Sequence, residues 1–309
     1  NPALINADGC DGLRITGEGI LDGAGRPLWD HFWKVRNAAK DKKNFRNISV
    51  PRARLCLIEN SKNVGLQGVT FKDSQFWNLH LYRCDGVTAD GLKFEVPDDY
   101  KQAPSTDGID IDSSRNITIR NCSFSVTDDC IAAKGTKGPY ALEDKSSPPV
   151  EHIRVSNCVF RRGGGIFTCG SEATIVRDVV IENCELTGAM PVLTLKLRPD
   201  TPQQYEDITV RGIKVDSGGA RLFSVGSWTQ YFDLKGQPEP ESYVGDITLS
   251  GISGRLQSLG VIEGNKRTKF GRISLENSDL TTKITGLRKS GAVTDLAIKD
   301  VRVNGKNLR

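Results

Sequence analysis

Methionine occurs once and histidine three times, and aromatic residues make up only 7% of the 309 positions. With so few histidines, and with no C-x-x-C among the eight cysteines, the ligand spacing of a zinc site is missing. No apolar run approaches the roughly 18 residues that a membrane-spanning helix needs, so no membrane partner is expected. Basic runs with interleaved aromatics are also lacking. The net charge of +4, from 42 basic and 38 acidic residues, therefore permits an acidic substrate without pointing to nucleic acid. The chain opens on "NPALINADGC", which lacks the charged-then-apolar pattern of a leader and reads like the middle of a fold. The expectation is that an opening segment has been removed. Eight cysteines are too few to scaffold a chain of this length. Cys122, Cys158 and Cys184, in "RNCSF", "SNCVF" and "ENCEL", are expected to be small buried core residues.

Helical periodicity is scarce too. It is confined to residues 26–43, where Trp29, Phe32, Trp33 and Arg36 share one helical face. What fills the rest is a repeat: "LRITGEGIL" from 13, "VGLQGVTF" from 64, "VTADGLKF" from 87, "ITIRNCSF" from 117 and "IRVSNCVF" from 153. It continues in "VVIENCEL" from 179, "ITVRGIKV" from 208, "ITLSGISG" from 247, "ISLENSDL" from 273 and "LAIKDVRV" from 296. From the second unit on, the starts are 23, 30, 36, 26, 29, 39, 26 and 23 residues apart. A strand–kink–strand unit with a minimum near 23 residues and variable excess predicts an all-β fold, a parallel β-helix whose coils share one core. One domain over 1–309 follows. Asn121, Asn157 and Asn183 sit at the kink, where Asn or Gly tolerates a left-handed backbone, and are expected to stack with their amides bonding coil to coil. The longest intervals hold the insertions 136–149 and 228–242, placed to rise as loops and close one end of a groove.

The chemistry concentrates in "STDGIDIDSSRNITIRNCSFSVTDDCIAAKG", residues 105–135. Asp107 and Asp128 are 21 residues apart, about one coil, so Asp107 should lie below the Asp128–Asp129 pair at the strand spacing of ~4.8 Å. Asp110 follows three residues later. Carboxylates this dense, set in apolar strand sequence, suit two chemistries. One is glycoside hydrolysis, in which one carboxyl protonates the leaving oxygen and another activates water. The other is a calcium site, as in lyases that eliminate from a uronate. A non-catalytic glycan-binding solenoid is a third reading.

In order, "STDGID", "TDDCIA", "GGGIFTCGSE" and "LTLKLR" resemble the four motifs of family 28 glycoside hydrolases, the polygalacturonases and their relatives. The similarity runs from about residue 10 to beyond 210 and includes "FWNLHLYRC" at 76–84. It implies a right-handed parallel β-helix that cleaves pectin with inversion and needs no metal or cofactor. It also implies an acidic pectic polysaccharide or oligosaccharide as partner, and hence export: secreted or periplasmic. By the same resemblance Asp128 is the general acid, Asp107 and Asp129 hold and deprotonate water, and Asp110 supports the site. An inverting acid–base pair is expected ~6.5–9.5 Å apart. Two motif positions depart. The family's Gly-His-Gly histidine is here Gly164. In its Arg-Ile-Lys motif the lysine is Lys196, but the arginine is Thr194.

Arg198, two residues beyond Lys196 on the same strand face, is the candidate to replace that guanidinium as anchor for a substrate carboxylate. Lys134 is placed to pair with Asp129 or with substrate. Trp77 and His80 are candidates to touch sugar, on opposite faces if their strand is straight. Trp228 and Tyr231 are candidate subsite walls, and His31 and His152 read as ordinary histidines.

Overall fold

The computed structural model describes residues 3–42 and 45–308. Its strands stack in parallel, coil upon coil, into a β-helix, which ends in a short antiparallel pairing of Leu296–Val303 with Lys306–Asn307. The register follows the repeat. Val64 faces Val87, Val87 faces Ile117, and the column continues through Ile153, Val179, Ile208, Ile247, Ile273 and Leu296. Every unit from the second onward begins at the same angular position, because one apolar residue per coil must point into the shared core. Arg14 faces Gly65, so the first unit keeps the frame.

The core is built in columns. Phe71, Phe94, Phe124 and Phe160 stack face to face at centroid spacings of 5.0 Å. All four are buried, and truncation of one to alanine would cost about 3–5 kcal/mol. Cys122, Cys158 and Cys184 are buried as expected, and all eight thiols are free. Asn121, Asn157 and Asn183 do adopt left-handed backbone, with φ of 53–56°. Their main-chain N–H groups donate to the Ser156, Glu182 and Arg211 carbonyls of the next coil, and the Asn121 side-chain amide also bonds to the preceding coil, donating to Asp90 Oδ1 at 2.7 Å. A peptide group reaches the next coil at strand spacing without extending a side chain, so the backbone carries the ladder at all three asparagines and the side-chain amide adds to it at Asn121.

A second face of the solenoid, unannounced by the repeat, forms the floor of a groove. It consists of Arg54–Glu59, Leu79–Tyr82, Ile109–Asp112, Ile131–Lys134, Phe167–Cys169, Pro191–Leu197 and Arg221–Ser227. Their neighbours are paired in this order. Segments preceding these strands make one wall, and segments following them make the other. The helix spans Arg26–Ala38, shorter than the 26–43 pattern (residue 43 lies outside the described residues). Trp29 and Phe32 are fully buried beneath it, and the indole N–H groups of Trp29 and Trp33 donate to Ser74 and Gln102 carbonyls at 3.0 and 2.8 Å. Among the described residues, no helix is long and apolar enough to cross a membrane.

Candidate active site

Ile109 faces Ile131, so the residues two positions earlier, Asp107 and Asp129, fall in one axial column, with Gly108 N–H donating to the Asp129 carbonyl at 2.9 Å. Asp128 is adjacent. One oxygen from each of Asp107, Asp128 and Asp129 lies within 4.8 Å of the other two. This is tighter than the separation expected for a simple inverting pair, because one coil step and one peptide step are the only distances available to the three. They line a cavity of about 950 Å³, together with Trp77, Lys134, Lys196 and Trp228. Asp107 and Asp129 are each 3% exposed, while Asp128 is the more open of the three.

The surroundings divide the carboxyls electrically. Burial pushes Asp107 well above the usual range, with Asp128 and Asp110 adding to it and Lys134 opposing. Burial and the neighbouring Asp129 raise Asp128. Burial would raise Asp129 as well, but Lys196 and Lys134 and the hydrogen bonds it accepts outweigh it, and Asp129 is held low. Those bonds come from the Lys196 ammonium at 2.7 Å and the Thr168 hydroxyl at 2.8 Å. One carboxyl held ionised beside two pushed towards their neutral forms is the division that acid–base chemistry uses.

Asp110 projects from the floor between His80 and Ala132, wholly buried, its closest cation Lys134 at 3.6 Å. Burial raises it to about 8 against that lysine. Lys134 sits nearer Asp107 and Asp110 than the expected partner Asp129, with its ammonium 3.5 Å from Asp107. Burial works against its charge, but these carboxylates more than compensate and raise its pKa. Trp77 lies at the cleft, its ring 5.2 Å from the Lys134 ammonium and 5.0 Å from the Arg54 guanidinium. The expected opposition of Trp77 and His80 does not hold. The strand begins only at Leu79, the chain bends before it, and the two rings meet edge to face at 5.0 Å. His80 is buried against Asp112 and faces a neighbouring hollow of about 500 Å³ instead of the cleft.

Arg198 is corrected most fully. It is 0% exposed and forms a bidentate pair with Asp200 at 2.9 and 2.8 Å, and its remaining donors reach the carbonyls of Gln230 and Tyr231 at 3.0 Å. Its guanidinium holds a loop, and it does not reach the cleft. Thr168 was missed in the sequence. Its signal was the outward phase of a strand next to the glycines. The helix and the 45–54 segment, which bring Trp33, Arg36, Arg46 and Arg54 to the cleft, were missed as a wall because they belong to no repeat unit.

The same three carboxylates are the group, among the described residues, that could surround a cation. Lys196 and Lys134 already stand within 2.7 and 3.5 Å of them, so their charge is met by ammonium groups and the donor set suits a divalent ion poorly.

The family model of glycosyl hydrolases family 28 matches residues 1–300. The chain belongs to that family. Among its relatives, a probable polygalacturonase of Arabidopsis thaliana is 29% identical over 209 residues, covering 67% of this chain and 39% of the relative. An endo-polygalacturonase of Pectobacterium carotovorum is 27% identical over 292 residues, covering 92% of this chain and 66% of the relative. The chain thus spans about two fifths to two thirds of the length of these curated relatives. Among solved structures, a hyperthermoactive exopolygalacturonase from Thermotoga maritima superposes with a TM-score of 0.76 at 17% identity, covering 99% of this chain and 72% of that one. At these identities the superposition speaks for the fold.

Within family 28, the two departures of this chain are neighbours in space. A Cβ on Gly164 would lie 3.0 Å from Asp129 Oδ1, and one on Gly165 would lie 3.0 and 3.1 Å from the hydroxyls of Thr168 and Thr194. Gly164 lies against Asp129 itself, and Thr194 lies one strand beyond Thr168, whose hydroxyl bonds that carboxylate. Lys196 remains as the cation bonded there.

Proposed function

We propose that this family 28 chain is an inverting glycoside hydrolase acting on a uronate-containing pectic polymer or oligosaccharide, galacturonan or rhamnogalacturonan in type. The observation that carries the reading is Asp129. It is held ionised by Lys196 and Thr168 in a cluster whose other two carboxyls are pushed up, on the floor of a groove with cationic walls.

In this reading Asp128, the more open carboxyl, gives its proton to the glycosidic oxygen as the bond to the anomeric carbon breaks. A water oriented by Asp107 attacks that carbon from the opposite face, and its proton passes to Asp129. Lys134, Lys196 and the wall arginines supply positive charge for substrate carboxylates, with Trp77 and Trp228 offering apolar ring surface. Lys134, which stands between Asp110 and Asp107, steadies Asp107. The names of the relatives support a polygalacturonase-like substrate. A pectic polymer lies outside the cytoplasm, so the enzyme would work after export.

A panel of pectic oligosaccharides tests the proposal. Expected are new reducing ends of inverted anomeric configuration and no absorbance of an unsaturated uronate. That absorbance, abolished by a chelator, would mean a calcium-dependent lyase. Tight binding with no bond broken would mean a glycan-binding solenoid.

A further inference from the structure

The relatives' names include both endo- and exo-acting enzymes, so the mode of attack has to be read from this chain's own walls. Phe45 belongs to the segment before Arg54–Glu59, on one wall. Tyr231 belongs to the insertion after Arg221–Ser227, on the other. Six inter-strand steps separate those two floor strands. At ~4.8 Å per step that is roughly 29 Å along the groove. Yet the Tyr231 hydroxyl donates to the Phe45 carbonyl. The two segments lean along the groove and across it until they meet.

Each is anchored behind the contact. The Phe45 ring packs edge to face on Phe32 at 5.9 Å and lies under the Arg36 guanidinium at 5.7 Å, on a helix pinned by its two indole hydrogen bonds. Tyr231 is held through its own carbonyl by Arg198, and the buried Arg198–Asp200 pair also takes the Gln230 carbonyl and the Asp233 N–H. Residues from both arms, among them Trp33, Arg46 and Tyr231, line the same cavity as the three aspartates. The meeting therefore spans the groove and is not a stray contact of surface loops.

We infer that Tyr231 is a specificity-determining residue: its bridge to Phe45 bars a polymer from being laid sideways into the groove, so the substrate is admitted end first and cleaved near chain ends. The Arg198–Asp200 pair is the positioning element for that bridge. The inference rests on the hydrolase reading.

The test follows reducing ends and viscosity together as the enzyme digests a high-molecular-weight polygalacturonate and a rhamnogalacturonan. The expected result for the unaltered protein is steady release of reducing ends with little early loss of viscosity. Tyr231→Gly should raise the viscosity lost per reducing end several-fold. If that variant does not fold, Tyr231→Phe, which drops only the hydroxyl, should move the ratio in the same direction. An early collapse of viscosity with the unaltered enzyme would overturn the inference while leaving hydrolysis intact. So would an unchanged ratio in a folded variant. Absence of reducing ends from every polymer would remove the hydrolase reading itself, and the inference with it.

Discussion

Asp107 lies one coil beneath Asp129, in the same axial column, and not beneath Asp128. The coil here is 22 residues, one more than the 21 that separate Asp107 from Asp128, and that single residue sorts the cluster. Asp107 and Asp129 share the buried column with Lys134, Lys196 and Thr168 around them, while Asp128 is left beside the column with the freest approach from the groove. A general acid has to reach a substrate oxygen, whereas a base working through water can sit deeper.

Asp128→Asn should therefore leave the fold intact and lower turnover by about 10²–10⁴-fold, the usual worth of a general acid. Circular dichroism and thermal unfolding check the fold, and initial rates on the preferred oligosaccharide check the loss. Undiminished rates would reassign the acid.

Lys196→Met removes both the charge and the hydrogen bond that keep Asp129 low against its burial. Asp129 should then hold its proton to higher pH, so the acid limb of the kcat/KM profile should move upward in pH. Thr168→Val, which removes one hydrogen bond from an uncharged donor and leaves the Lys196 charge in place, should move the same limb the same way by less. A KM that rises with an unmoved acid limb would mean that Lys196 serves only to bind substrate.

Asp110 gives a pH-dependent stability of defined sign. Its folded value of about 8 lies above the ordinary 3.8, so between these values the folded state binds more protons than the unfolded state, and stability falls as pH rises. The penalty is absent below about 4, grows by at most ~1.4 kcal/mol per pH unit, and is fully present above about 8. Asp110→Asn removes it. The variant's gain over the parent in chemical denaturation should be smallest near pH 4 and widen towards pH 8, and a gain that is flat with pH would contradict the assignment.

The sequence made the register of one face legible because each coil there contributes an apolar residue followed by a kink residue, and a one-residue slip would turn the core outward. Val64 through Leu296 fell where the repeat put them. The floor face was hard to read because its outward residues (Leu57, His80, Asp110, Ala132, Thr168, Thr194) answer to a groove and follow no common pattern. Asp107, Asp128, Asp129, Lys134, Lys196 and Trp77 were legible because charge or a large ring beside apolar strand sequence needs a reason. Arg198 shared their alternation and misled. Phase along a strand gives the side on which a residue emerges but not what waits there, and Asp200, two residues on, captured it.

That capture yields the last prediction. Arg198 and Asp200 are 0% and 2% exposed, so removing one partner strands the other's charge in a buried site. Arg198→Met should destabilise the protein by about 3–5 kcal/mol and free the 228–242 insertion, seen as faster proteolytic nicking there. Adding Asp200→Asn should recover most of the stability, because the stranded carboxylate is then gone. Resistance to nicking should not recover, because the Gln230 and Tyr231 carbonyls have still lost their donor. A residue that anchored a substrate carboxylate would behave otherwise: its loss would raise KM for uronides and leave the melting temperature nearly unchanged. Thermal unfolding, timed proteolysis and KM measured on the single and double variants separate the two roles.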